Sequence, residues 1–449
     1  MTGNETVTEK LAEWLSSVRY DELPAIIRSK ALDVVFDSVG CMVACSVLPE
    51  VRAIVALLQQ LGGSPECTIV GYKERTSVVS AAMANGGMAH GDEIDPVHLP
   101  SFGGHVAAGP VPTALTVGQW VNATGKDVLR AVALGYEIGG RLMTIFYRER
   151  DYLTRRFYHT SVAASLSSAV TAALLLDLSA QSMEVALGLA TYQAAGPDNM
   201  TKDPGHMGKT FQVAAANRNG VTAALLAQKG CFVPLDILDG PLGLFDAFLE
   251  KPEIAGEMAK DLGHHYAIAD VMHKRYPVGS PNQTYLQGLF RLLNQHRIQP
   301  EEIRQIEIQI PKRGVHRIPS TRHASISGDV VCAMAAVHRK LDFFSLHDPQ
   351  AVMSPSVQEM RERIRFIGRE DWKEMEQGRH AIVTLATTGG QRFQEEVWFE
   401  PMGRGELEGK FKDLVGRSFS EEKSRRLEKL LNELEGAESV TPLMEELEG

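Results

Sequence analysis

Residues 160–176 read TSVAASLSSAVTAALLL, a run without a charged side chain. The run is shorter than the roughly 20 apolar residues that a membrane-spanning helix needs, and serine and alanine dominate it. Side chains this small let neighbouring helices approach closely. A similar composition, rich in alanine, returns in residues 213–227. We therefore predict a fold built on tightly packed, buried helices, with no membrane association.

Helical spacing extends on both sides of this run through most of the chain before residue 267. Leu11, Trp14 and Leu15 form an apolar stripe at the spacing of one helix face. Thr124, followed three residues later by Asp127, resembles a capping box at a helix start. Together these patterns predict a large, all-helical domain.

The pattern changes after that point, where signals of β-structure begin. Ile306, Ile308 and Ile310 alternate with polar residues, as expected for a half-buried strand. Residues 381–387 and 393–399 are rich in β-forming side chains and are separated by a glycine pair. This arrangement predicts a β-hairpin.

Helical stretches are expected between these strands, near residues 329–341 and 356–366. The last part of the chain is helical again and carries regularly spaced leucines opposite a charged face. The predicted fold class is mostly α, with a large all-helical domain over residues 1–267 and a smaller α+β lid domain over residues 268–401. Residues 402–449 are expected to pack back on the helical domain.

Composition narrows the functional class. The chain has 449 residues, of which 44% are hydrophobic, and its formal net charge is −10. A negative chain is a poor candidate for binding nucleic acid, which requires a basic face. The five cysteines form no C-x-x-C pair, so we expect reduced thiols and neither a zinc ribbon nor an iron–sulfur cluster. The polar, acidic N-terminus is unlike a signal peptide, and a cytoplasmic location is expected.

One segment is unusually rich in groups that can transfer protons or bind metals. Within residues 85–105 it holds three carboxylates and three histidines, namely His90, Asp92, Glu93, Asp95, His98 and His105. Asp92 and Asp95 have the spacing of the aspartate-rich magnesium motif of terpene cyclases, but no second metal motif follows and only 7% of residues are aromatic. We therefore predict no metal site. For Asp92 an ion-paired loop is the better interpretation, whereas Asp95 and His105 are candidates for acid–base catalysis.

Three further groups of residues carry chemistry. His159 begins the uncharged run, where a pocket can tune its pKa, although taken alone it is more typical of a structural histidine. Lys209 lies near the start of an alanine-rich helix, whose free N–H groups and dipole favour an anion. Lys274, Arg275 and Tyr276 fall at the join between the two predicted domains, a preferred place for ligands. Adjacent cations there either form a surface pair, bind a carboxylate or stabilise a carbanion.

Taken together, these segments resemble the MmgE/PrpD family, and six motifs occur in the family's order. The matching stretches are Ala82 to Gly86 followed by His90 to Asp95 (A-x-x-N-G, then H-x-x-D-x-D), His105 to Ala114, Leu134 to Ile138 with Arg141 (G-Y-E-x-x-x-R), Tyr158 to Ser161, Lys209 with Ala214 to Ala224, and Lys274 to Pro277 (K-x-Y-P). Each motif is weak alone, but their order across most of the chain is specific.

The resemblance implies a large helical domain, a smaller α+β lid, an active site between them, and a homodimer. It also implies a small polycarboxylate substrate and no metal or organic cofactor. The predicted catalytic residues are His105, His159, Lys274 and Asp95, and the predicted substrate-binding residues are Glu93, Lys209, Gln212, Arg275, Tyr276 and Asp329.

Known activities of the family include 2-methylcitrate dehydratase, cis-aconitate decarboxylase and iminodisuccinate epimerase. All of them remove a proton or CO₂ next to a carboxylate, so the pocket must stabilise extra negative charge. The resemblance implies that His159 or His105 moves the proton and that Asp95 orients a histidine. Lys274 either stabilises the carbanion or acts as the opposing acid. We predict a cofactor-independent lyase or isomerase, with a dehydratase favoured over an epimerase or a decarboxylase.

Glu93 stands where the first aspartate of H-x-x-D-x-D is usual, and four further positions depart from the family pattern. Gly279 and Gln212 stand where histidines are usual, Val97 stands where a threonine is usual, and Asp329 falls where the decarboxylases carry a tyrosine. These changes remove donors that bind one carboxylate of a tricarboxylate. They favour reactions other than decarboxylation. They also leave open the alternative that the chain is a homologue that binds a carboxylate without converting it.

Overall fold

The computed structural model describes residues 5–149, 157–199, 203, 205–315, 323–373 and 379–449. Most of these residues are helical, and a smaller α+β region follows the helical one. The predicted fold class is confirmed.

The helical region contains ten helices and four short strands within the described residues. The helices are α1 (Val7–Ser17), α2 (Ala25–Cys45), α3 (Pro49–Leu61), α4 (Val78–Ala89), α5 (Pro110–Val121), α6 (Gly125–Glu149), α7 (His159–Leu175), α8 (Ala180–Gln193), α9 (Met207–Gln228) and α10 (Leu244–Leu249). The strands pair as β1 (Cys67–Thr68) with β2 (Arg75–Thr76) and β3 (Val97–His98) with β4 (Val271–Met272).

Helix α7, which contains the uncharged run, packs against α5, α6, α8 and α9. Its small residues matter because the helices approach closely. A Cβ at Gly220 of α9 would lie 2.7 Å from the backbone nitrogen of Ala169 in α7, closer than any ordinary contact. Small residues on both helices therefore allow this spacing, as the composition predicts.

The α+β region is built on one four-stranded sheet. Its helices are α11 (Asn282–His296), α12 (Lys312–Val315), α13 (Gly328–His338), α14 (Phe343–Leu346), α15 (Pro349–Val352) and α16 (Pro355–Arg361), and its strands are β5 (Ile303–Pro311), β6 (Ile364–Arg369), β7 (His380–Thr387) and β8 (Arg392–Trp398). The strand order is β6-β5-β7-β8. Ile306, Ile308 and Ile310 of β5 point into a second hydrophobic core, and β7 with β8 forms the predicted hairpin.

One local prediction is wrong. Residues 356–366 were expected to be helical, but α16 ends at Arg361 and Ile364–Arg369 forms β6. Ile364 pairs with Ile306 in a parallel ladder. Parallel pairing joins residues far apart in sequence, so it overrides the local helical spacing.

The C-terminal helices α17 (Arg404–Val415), α18 (Glu421–Asn432) and α19 (Thr441–Glu446) join the core of the helical region. The ring of Phe411 lies 4.7 Å from that of Phe36 in α2. Lys410 donates a hydrogen bond to the carbonyl of Ile94 at 2.8 Å. The C-terminal segment therefore supports the loop that carries Asp95.

Within the described residues no single helix is long and apolar enough to cross a membrane. Helices α2 and α3, which meet at 84°, reach that length and composition only as a bent pair.

Candidate active site

Three elements bring the candidate residues together. The segment rich in histidine and carboxylates follows α4 and leads into β3. Pairing of β3 with β4 places Val97 opposite Met272, which brings Lys274 beside the same segment. The first turn of α9 supplies Lys209 from the other side. All three elements meet in a buried cluster of charged and imidazole side chains.

The carboxylate of Asp95 lies between two imidazoles. His105 Nδ1 is 2.9 Å from both carboxylate oxygens, and His90 Nδ1 is 2.9 Å from Oδ2. An ionised carboxylate only accepts hydrogen bonds, so both Nδ1 atoms carry the proton. The Nε2 atom of neutral His105 therefore keeps its lone pair. His90 Nε2 likewise accepts a hydrogen bond from the hydroxyl of Tyr158 at 2.5 Å.

The protonation states follow from burial and from these partners. Burial lowers the pKa of His105, although Asp95 partly opposes the shift. Burial disfavours the charged form of Asp95 too, but His105, His90 and Lys209 outweigh it and hold the pKa of that carboxyl well below its usual range. At neutral pH the pair is thus a carboxylate and a neutral imidazole. This combination is suited to a general base.

Glu93 forms the second half of the site. Lys274 Nζ lies 2.8 Å from its Oε2, and His105 Nε2 lies 3.8 Å from the same oxygen. His206 Nε2 is 3.5 Å and Lys209 Nζ 3.8 Å from the other oxygen, Oε1. Burial disfavours the charged form of Glu93, but Lys274 and Lys209 hold its pKa well below the usual range.

Lys209 is 1% exposed and sits between the two carboxylates. Its ammonium group donates to the backbone carbonyls of His90 and Asp92, at 3.2 and 3.0 Å. Nζ also lies 4.0 Å from Asp95 Oδ1 and 3.2 Å from His90 Nδ1. His90, Asp95 and His105 are close enough to hold a metal ion, but a buried ammonium so near opposes a second cation.

His159 begins α7 directly after Tyr158, and it is half-buried. The two rings are 6.1 Å apart, nearly perpendicular. The next residue, Thr160, accepts a hydrogen bond through Oγ1 from the backbone N–H of His105 at 3.4 Å. The start of α7 is therefore tied to the segment that carries the histidine–aspartate pair.

The structure does not bring every predicted residue into this group. Arg275 forms an ion pair with Glu406, and the ring of Tyr276 stacks on Phe290. Gln212 donates to the carbonyl of Pro197 at 3.1 Å, and Asp329 accepts from Arg361 inside the α+β region. Contact of these four residues with a substrate stays a prediction.

Two histidines of the site were not among the predicted site residues. His90 contacts Asp95, and His206 lies beside Glu93. Both were visible in the sequence, because His90 opens the segment that resembles H-x-x-D-x-D and His206 stands three residues before Lys209. Only the folded chain shows that they converge.

The structure shows the surroundings of the residues that depart from the family pattern. The N–H of Gly279 donates to the carbonyl of Ser325 at 2.9 Å, and a Cβ there would meet Ile326 at 3.4 Å. Val97 lies buried in the β3–β4 ladder. Asp92, expected in an ion-paired loop, accepts a hydrogen bond from Ser325 and pairs with His347 at 3.2 Å.

Comparison with known proteins agrees with these motifs. The model of the MmgE/PrpD N-terminal domain matches residues 9–257, and that of the MmgE/PrpD C-terminal domain matches residues 276–435. A cis-aconitate decarboxylase of Aspergillus terreus is 25% identical, over 98% of this chain and 95% of its own length. The cis-aconitate decarboxylases of Mus musculus and Homo sapiens are each 24% identical over 99% of this chain and cover 94% and 95% of their own lengths. The chain therefore belongs to the MmgE/PrpD family.

Proposed function

We propose that the chain is a lyase or isomerase that moves a proton next to a carboxylate of a small di- or tricarboxylate, without an organic cofactor. One observation carries the proposal. The free Nε2 of His105 and the ammonium of Lys274 lie 3.8 and 2.8 Å from the same oxygen of Glu93. A base and a cation thus converge on one point, as the formation of a carbanion next to a carboxylate requires.

In the proposed mechanism His105 Nε2 removes the proton. Asp95 then stabilises the resulting imidazolium through the hydrogen bonds at Nδ1. Lys274 and Lys209 stabilise the negative charge that develops on the substrate. His159, at the start of α7, is the second candidate for moving a proton, and Lys274 can serve as the acid on the opposite face.

Charge balance constrains the substrate. Lys209 and Lys274 are offset by Glu93 and Asp95, so these four groups have no net formal charge. A polyanion therefore enters a pocket without an excess of cations. This balance favours a dicarboxylate, or a tricarboxylate that takes up a proton when it binds.

Two lyase reactions that pass through the same carbanion remain candidates. Loss of hydroxide from it gives dehydration, and Gly279 together with Asp329 favours this outcome over the decarboxylase pattern. Loss of CO₂ forms the same anion, and the similarity to cis-aconitate decarboxylases supports it. Protonation on the other face gives an epimerase instead. The homodimer and the cytoplasmic location predicted from the sequence are also part of this proposal.

Proton NMR in D₂O tests the proposal. The purified chain is incubated with methylcitrate, citrate, cis-aconitate, iminodisuccinate and related hydroxy-diacids, beside Lys274→Ala, His105→Asn and His159→Ala variants. We expect one compound to exchange a proton next to a carboxylate, or to become an alkene, with the wild type alone. If one compound binds but neither exchanges a proton nor is converted, the chain is a carboxylate-binding protein and the proposal of an enzyme is wrong.

A further inference from the structure

A second cluster of titratable groups, centred on Asp92, lies next to the proposed active site. Asp92 Oδ2 is 3.2 Å from His347 Nε2, and Asp92 Oδ1 is 3.8 Å from His323 Nδ1. One ligand atom of each of these three residues lies within 4.8 Å of the other two. Asp92 comes from the helical region and both histidines come from the α+β region.

Outer contacts orient this cluster. The hydroxyl of Ser325 donates to Asp92 Oδ1 at 2.8 Å and lies 2.9 Å from His323 Nδ1. The ring of His206 stacks on that of His323, with centroids 5.5 Å apart. Metal-binding carboxylates and histidines are typically held by outer hydrogen bonds of this kind.

Within the described part of the chain, the buried carboxylate of Asp92 is hydrogen-bonded at only one of its two oxygens. The side chain of Asp92 is 1% exposed, and its Oδ2 accepts no hydrogen bond from the described residues. Among those residues its ion-pair partners are histidines, with no lysine or arginine. Asp92, His323, His347 and His206 also line a cavity of about 360 Å³. A buried carboxylate oxygen thus faces a cavity beside two imidazoles, an arrangement that favours a cation.

We propose that Asp92, His323 and His347 bind a divalent transition-metal ion of the zinc type. Two imidazoles and one carboxylate are a common set of three protein ligands for such ions, and a further coordination position is left for water or a small anion. In the competing cluster of His90, Asp95 and His105, Lys209 Nζ lies 3.2 Å from a ligand atom, His90 Nδ1, whereas at Asp92 it contacts the backbone carbonyl, at 3.0 Å.

The ion would also join the two regions of the chain. It bridges Asp92, in the segment after α4, with His347, which follows α14 of the α+β region. A ligand that binds only the folded chain stabilises it in proportion to the logarithm of its concentration over Kd. Added metal should therefore raise Tm, and this effect does not depend on any substrate.

The proposal is tested by metal binding alone, so its result is independent of the proposed lyase activity. The chain is stripped with a chelator and titrated with Zn²⁺ by calorimetry, and Co²⁺ replaces Zn²⁺ to report ligand geometry by visible absorption. We expect one tightly bound ion per chain and a rise in Tm. Asp92→Asn and His347→Asn should weaken binding by more than the roughly 10–100-fold that loss of an outer partner causes. Ser325→Ala should fall within that range.

Two matched variants identify the site. His105→Asn alters the competing cluster, and His264→Asn alters an exposed histidine; both should bind Zn²⁺ as the wild type does. Circular dichroism checks that every variant is folded, and His347, with a side chain 20% exposed, is the substitution easiest to accommodate. Absence of stoichiometric binding overturns the proposal. Loss of binding in His105→Asn but not in His347→Asn overturns it equally.

Discussion

The imidazole of His105 faces both oxygens of Asp95, with Nδ1 2.9 Å from each. Asp95 also receives the Nδ1–H of His90, so one carboxylate fixes the tautomer of two histidines. This arrangement frees Nε2 of His105 as a base, and it makes Asp95 the residue on which the orientation of the pocket depends.

An Asp95→Asn substitution should therefore remove most activity and affect substrate binding less. An amide carries an NH₂ group in place of one oxygen, and because His105 Nδ1 lies 2.9 Å from both oxygens, that donor faces the Nδ1–H of His105 in either orientation. We expect kcat to fall by about 10²–10⁴, the usual contribution of a positioned base, with a smaller change in KM. The double variant with His105→Asn should be little worse than either single variant, because the residues act as a unit. Additive losses would mean that Asp95 acts elsewhere.

The pH profile of activity should show that His105 remains an active base at pH values below the usual pKa of histidine. Burial lowers the pKa of His105, so the neutral form persists below about pH 6.5, the ordinary value for histidine. We expect the acid limb of kcat/KM to fall below that pH. In the His105→Asn variant this limb should be lost along with most activity. A limb centred above pH 7 would assign it to another group.

Breaking the ion pair between Lys274 and Glu93 should lower the stability of the fold as well as the activity. The pair is 2.8 Å apart and both side chains are buried, so Lys274→Met leaves a buried carboxylate whose remaining lysine within 4 Å, among the described residues, is Lys209 at 3.8 Å. We expect the free energy of unfolding at pH 7 to fall by roughly 3–5 kcal/mol in urea. Adding Glu93→Gln should restore part of it.

A matched surface pair provides the control for that experiment. Lys340 and Asp413 are 3.8 Å apart, with side chains 61% and 66% exposed. Lys340→Met should change stability by less than about 1 kcal/mol, because water screens exposed pairs. Equal effects of the two methionine substitutions would show that burial of Glu93 has no energetic consequence.

Much of the fold was predictable because it is encoded locally. The uncharged run forms most of α7, and the alternating isoleucines lie in β5. Strand β6 was missed because its partner, β5, is more than 50 residues earlier in the chain, and no local period reports such pairing. The residues around Ile364 acquire their strand structure from the neighbouring strand.

The site divides in the same way. Motifs indicated Asp95, His105, Lys209 and Lys274, since each lies in a recognisable segment. The cluster of Asp92 with His323 and His347 was not predictable, because Asp92 lies more than 200 residues before both histidines. Their common environment exists only after the two regions pack together.

His98 should make stability depend on pH. Burial lowers its pKa to about 4, whereas unfolded histidine titrates near 6.5. Between these values the unfolded chain binds more protons, so the contribution is complete above about pH 6.5 and is lost as the pH falls towards 4. His98→Gln should reduce the slope of unfolding free energy in this window by about 1.4 kcal/mol per pH unit. The exposed His264→Gln substitution is the control for replacing a histidine with glutamine.

Gly125 tests how strongly the C-terminal segment is held on the helical region. Its N–H donates to the carbonyl of Ala437 at 2.8 Å, and a Cβ at this position would collide with the carbonyl of Leu434. Because the obstacle is backbone and cannot rotate away, Gly125→Ala should displace the segment that follows α18 and cost about 1–3 kcal/mol or more. Gly409→Ala is the matched control, since a Cβ there meets nothing within 4 Å and alanine favours the helix by up to about 1 kcal/mol. Hydrogen exchange should be faster across α18 and α19 in the first variant only. Equal exchange in the two variants would mean that the C-terminal helices are held by α17 and do not depend on the contact at Gly125.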